Sequence, residues 1–168
     1  LMFLLEADEH LQAVFADTVA RSPPSQCSPW RLVIGFDEFA PGNKLKPDNR
    51  RKAMVLSFSF LELGQSNLSA CSSWLVPVVI RSSVLADVEG GWSRVLRDFL
   101  RDLLFGSNGL STSGVPVTLG GRQILLFAKL DALLSDGDGI RMAFDWRGQG
   151  SLKPCLKHRC HDPSVQAA

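Results

Sequence analysis

The sequence predicts an α/β domain, a mixed sheet covered by helices. Three observations predict it. Strand-length apolar runs follow one another at residues 30–36, 54–63 and 74–80. An amphipathic helical pattern comes next, at residues 92–105. A β-leaning run that ends at Leu134 then returns the chain to the sheet.

The first element is helical. Leu11, Val14, Phe15 and Val19 recur at helical spacing among Glu6, Asp8, Glu9 and Asp17, so residues 1–20 are expected to form a peripheral amphipathic helix. Residues 21–29 hold three prolines and three serines and read as a linker. The first strand run, Trp-Arg-Leu-Val-Ile-Gly-Phe, delivers Asp37 and Glu38 at its end. Pro41-Gly42-Asn43 is turn chemistry. In the second run, Ser57 and Ser59 mark a period of two. Pro77 lies inside the third run and argues for an edge strand or a bulge, because proline cannot donate to a ladder. In the helix, Trp92, Leu96, Phe99 and Leu103 form the apolar stripe, Ser93 is the expected cap and Gly106 the expected stop. Residues 115–119, Gly120-Gly121 and residues 123–134 read as a hairpin with a long second arm, followed by a short helix at 140–146. The domain core therefore spans residues 30–147, and residues 148–168 form a basic tail that carries a Cys/His cluster.

Composition bounds function without naming it. Of 168 residues 45% are hydrophobic and 21% charged, which excludes a mostly disordered chain. No apolar run has the roughly 18–20 residues of a membrane helix, so no membrane partner is expected. The net charge of +1 means that any nucleic-acid surface must arise from local clustering. Cys27, Cys71, Cys155 and Cys160 are too scattered for a disulfide framework. The apolar start lacks a basic leader region and is cut short by Glu6, Asp8 and Glu9, so we expect an intracellular, non-secreted protein, with the nucleus among the candidate compartments. The chain opens on Leu1, and a fragment lacking segments at either end is expected.

Three groups of residues carry possible chemistry. Asp37 and Asp136 stand at strand ends, where two carboxylates can share a hard divalent cation such as Mg²⁺ or Mn²⁺. Asp138 is the substitute if the turn places it better, while Glu38 should point to the opposite face of its strand. The bland reading of the same acids is turn and helix-cap chemistry. Cys155, His158, Cys160 and His161 offer sulfur and nitrogen for Zn²⁺. Four ligands within seven residues cannot readily wrap one ion, so the alternatives are a zinc half-site or a basic tail with incidental cysteines. Lys44, Lys46, Arg50, Arg51 and Lys52 form a basic loop that suits phosphates or is simply solvated. The chain has no P-loop, EF-hand or dinucleotide fingerprint and no serine or cysteine triad pattern, and the absence of tyrosine excludes tyrosine recombination chemistry.

Residues 36–44, Phe-Asp-Glu-Phe-Ala-Pro-Gly-Asn-Lys, resemble the first catalytic block of Plavaka-like transposases of the Kyakuja–Dileera–Zisupton group. Ser135-Asp136, followed by a small turn and an apolar helix, is similar to their second block, and Gly150 to Cys155 to the start of their Cys-rich knuckle. The resemblance covers residues 30–161 and implies a ribonuclease-H-like fold: three antiparallel strands, a helix, then a strand beside the first. It implies that Asp37 and Asp136 are the first two acids of a Mg²⁺- or Mn²⁺-dependent site for DNA phosphodiester hydrolysis and strand transfer. The family's third acid lies on a later helix. No segment here supplies it, so the chain is expected to be catalytically inert. The alternative expectation is a non-catalytic module that binds nucleic acid or a protein partner.

Overall fold

A computed structural model describes residues 8–40 and 51–144. Helix α1 (Glu9–Arg21) leads into β1 (Trp30–Phe39) and β2 (Ala53–Phe60). A 3₁₀ turn (Leu61–Leu63), the short α2 (Gln65–Leu68) and a second 3₁₀ turn (Cys71–Ser73) precede β3 (Leu75–Arg81). The chain continues through α3 (Ser82–Leu85), α4 (Gly91–Phe105), β4 (Val115–Leu119), β5 (Arg122–Leu126), β6 (Ala128–Leu134) and α5 (Gly137–Phe144).

The main sheet has four strands in the order β3-β2-β1-β6. β1 is antiparallel to β2 and β2 to β3, whereas β6 runs parallel to β1. The expected long hairpin arm is corrected here. It breaks at Phe127 into β5, which pairs with β4 in a separate two-stranded sheet, and β6, which joins the main sheet. The break is fixed by hydrogen bonds: Trp30 N–H donates to the Phe127 carbonyl (2.8 Å) and Ala128 N–H to the Leu110 carbonyl (2.9 Å). The Gly120-Gly121 turn forms as expected, with φ of 55° and 77°, the left-handed values of a tight hairpin turn. Pro77 lies in an edge strand and at a register irregularity, between the pairs Leu56–Val78 and Phe58–Leu75. A ladder donor is missing where none is needed.

The core lies on one face of the sheet. Strand alternation turns Trp30, Leu32, Ile34 and Phe36 of β1, and Met54, Leu56, Phe58 and Phe60 of β2, to that face, where all are buried. α4 docks there through Trp92 on Phe36 (ring centroids 5.9 Å apart) and Phe99 on Phe58 (6.3 Å). Its outer face is a mesh of Arg94, Arg97 and Arg101 on Asp98, a solvated face with ordinary helix ion pairs. The expected Ser93 cap is corrected. α4 starts earlier, from Gly90 in a left-handed conformation (φ 80°), with no side-chain cap, and Gly106 ends it.

The expected peripheral role of the first helix is also corrected. Asp8 caps α1 by accepting the Leu11 N–H (3.0 Å), and Leu11, Phe15 and Thr18 are buried. The Phe15 ring lies 5.7 Å from Trp30 and 5.8 Å from Phe60, which are themselves 5.5 Å apart. Trp30 Nε1 donates to the Ser22 carbonyl (2.8 Å), so the indole is buried with its polar atom satisfied. The aromatic cluster thus makes α1 part of the core. Replacing Phe15 with alanine is expected to cost about 3–5 kcal/mol, the usual cost of emptying a buried aromatic site, measured by urea unfolding.

Candidate functional site

The parallel pairing of β1 and β6 places the C-terminal ends of both strands at one rim of the sheet. The last paired residues are Gly35 and Leu134. One step on, Ser135 Oγ donates to the Phe36 carbonyl (2.7 Å) and clamps the two strand ends. One further step brings Asp37 and Asp136. Both line a single cleft of about 310 Å³, whose floor includes Gly35, Val55, Ser57 and Leu134. A side chain at Gly35 would meet Ser57 Oγ at 3.3 Å and the Trp74 ring at 3.7 Å, so glycine keeps this floor low.

Each acid is oriented by backbone. Asp37 accepts from the Glu38 N–H through Oδ1 (2.7 Å). Asp136 accepts from the Gly139 N–H through Oδ1 (2.7 Å) and so caps α5. Neither acid forms an ion pair among the described residues, and each keeps a second oxygen for another partner. Two carboxylates held this way, next to the hydroxyls of Ser57 and Ser135, form an oxygen-donor set. Such a set suits a hard cation that retains waters and needs only one or two carboxylates. Among the described residues no group of three or more His, Cys, Asp or Glu side chains comes together.

The other expected site residues separate from this rim. Asp138 does not line the cleft; its exposed carboxylate pairs with Arg141 (3.2 Å). Glu38 points to the opposite strand face, where it accepts from Lys52 Nζ and Ser82 Oγ, both at 2.8 Å. Lys52 is thereby committed to a carboxylate, and Arg51 is exposed. Lys44, Lys46 and Arg50, and the cluster of Cys155, His158, Cys160 and His161, lie outside the described residues. Cys27 and Cys71 are free and exposed. No described helix is long and apolar enough to cross a membrane. Ser135 entered the sequence reading only as the neighbour of Asp136, and its strand-end clamp, which depends on the pairing of β1 with β6, was not foreseen.

Comparison with known proteins found no match among family models, curated proteins or solved structures.

Two predictions follow from the rim's construction. A Cβ at position 139 would collide with Ser135 Oγ, so Gly139→Ala must break the clamp. Overpacking of this kind costs about 1–3 kcal/mol, and we expect that loss in thermal unfolding, together with faster amide exchange at Ser135 and Asp136. The second concerns Glu38, whose hydrogen bond from Lys52, and then that from Ser82, hold its carboxyl below the ordinary glutamate value of 4.5. The depressed value means that the folded state prefers the charged form. Its stabilisation is present above the unfolded value and is lost as pH falls through the folded one. Glu38→Gln should cost about 0.2–1 kcal/mol near neutrality, the range for partly exposed pairs. In denaturant titrations the difference between parent and variant should vanish at strongly acidic pH.

Proposed function

We propose that this chain is ribonuclease-H-like and related to Plavaka-like DNA transposases. In this reading Asp37 and Asp136 are the remaining pair of a Mg²⁺ or Mn²⁺ site built for phosphodiester chemistry on DNA. One observation carries it: the parallel β1–β6 pairing sets the two acids in the same cleft, although they are remote in sequence. The sheet order β3-β2-β1-β6, with a helix between β3 and β6, supports the same reading.

A bound divalent cation would neutralise phosphate charge and activate water. The chain's own residues do the positioning. The Ser135 clamp fixes the strand ends, the Glu38 and Gly139 amides orient the two carboxylates, and Gly35 leaves room above the floor. With two acids and no third acidic ligand among the described residues, the site is proposed to bind a cation without turning over a strand.

Titration calorimetry with Mn²⁺ tests this. The parent should bind, and Asp37→Asn and Asp136→Asn should each weaken binding. A unit charge at 4 Å contributes about 1–4 kcal/mol between bulk water and the protein surface, so each loss should be about fivefold or more. Asp138→Asn should bind like the parent. A parent that takes up no Mn²⁺, or an Asp138 variant that loses as much as the other two, would defeat the proposal.

A further inference from the structure

Beyond the acid pair, on the same sheet face and towards the same rim, lies a row with a different chemistry. Register pairs Phe39 of β1 with Ala53 of β2, and Ala53 with Arg81 of β3. In antiparallel sheets directly paired residues share a face. Alternation gives the same face independently: Phe36 and Ile80 belong to the core side, so Asp37, Phe39 and Arg81 lie on the other. Phe39 is 59% exposed, a large aromatic ring left in solvent. Arg81 is exposed and has no ion pair among the described residues, unlike the arginines of α4. Ala53, which the register places between them, is small and carries no polar side-chain group.

The spacing relates this row to the acids. Phe39 follows Asp37 by two residues on one face, about 7 Å along the strand, and Arg81 lies two strands away, about 10 Å across. A π-face, a cation without an ion pair among the described residues and the proposed two-carboxylate cation site therefore lie on one face of the sheet. An aromatic face recognises the face of a base, which is free in a single strand and covered in a duplex. An unpaired guanidinium recognises phosphate.

We infer that Phe39 and Arg81 form a platform for unpaired nucleic acid, Phe39 stacking one base and Arg81 holding a phosphate beside it, so that the neighbouring backbone lies over Asp37 and Asp136. The inference rests on the proposed cation site only for what the bound strand is presented to. The platform itself needs no metal.

The test is fluorescence anisotropy of a labelled decathymidylate at low salt, in EDTA and again with Mg²⁺, using the whole chain. Phe39→Ala should weaken binding about five- to 150-fold, the effect of losing one stacked base. Phe39→Trp should bind at least as well as the parent. Phe39→Leu, which keeps an apolar side chain and controls for folding, should bind like the alanine variant. Arg81→Gln should weaken binding and flatten its salt dependence. A duplex of the same length should bind more weakly than the single strand, and the gap should close in Phe39→Ala. The inference is overturned if the parent binds no oligonucleotide, if Phe39→Ala or Arg81→Gln binds like the parent, or if duplex and single strand bind alike. Binding that depends on Phe39 in EDTA, in a protein that takes up no Mn²⁺, would uphold the platform while removing the cation site.

Discussion

The parallel contact between β1 and β6 is the constraint on which the rest depends. It starts at Trp30–Ala128 and would run in step, but one residue is inserted on β6, so that Leu32 faces Leu130 and Val33 faces Ala132. Asp131 is the residue left over. That single extra residue sets the end of the ladder. With it, Gly35 meets Leu134 and Asp37 is brought level with Asp136; without it, Asp37 would be level with Ser135. It also decides the faces, because a slip of one residue turns every side chain of a strand over. Leu133 packs against the core and Leu134 lines the cleft only in the shifted register.

This constraint has a cost in chain topology. Parallel strands cannot be joined by a tight turn, so the chain must cross over, and α4 with the β4–β5 hairpin fills the crossover. The elements that fill it all lie on the core face, where α1 also packs through Phe15. The sheet is therefore asymmetric. One side is sealed by helices and aromatic rings, while the other, covered at Val33 and Ser59, keeps Asp37, Gly35, Val79 and Leu134 at or near solvent towards the rim, with Val79 63% and Leu134 50% exposed. A polar site needs such an open side, since carboxylates buried beneath a helix would lose the water a hard cation retains.

Much of this was legible in the sequence. The three apolar runs, the Pro77 edge, the Gly-Gly turn and the apolar stripe of α4 are local signals, and each depends on residues within a few positions of one another. Asp37 and Asp136 were visible as strand-end acids for the same reason. The change of sheet at Phe127 was not, because Ile124 to Ala128 is an unbroken apolar run without glycine or proline, and only the hydrogen bonds from Trp30 and Ala128 reveal the switch. The core position of α1 was hidden by the Pro/Ser segment after it, which reads as a linker but returns Trp30 beneath Phe15. Phe39 and Arg81 become neighbours only through register across β2, information that no local pattern contains.

Asp136 shows why the bland and the functional readings of a strand-end acid need not compete. Its Oδ1 caps α5, which is what the Asp-Gly-Asp-Gly pattern calls for. Capping uses one oxygen and fixes the carboxylate plane. The same contact that stabilises the helix removes the rotational freedom that a free aspartate would lose on binding a cation. Asp37 repeats the arrangement with the Glu38 amide. A surface aspartate is normally spared like-charge neighbours or matched with a lysine or arginine. These two share a cleft, each with one oxygen committed to backbone, and neither has a cationic partner among the described residues. A helix cap accounts for Asp136 alone. It does not account for a second carboxylate brought level with it by an inserted residue, and that pairing is the feature that favours a shared positive ligand over turn chemistry.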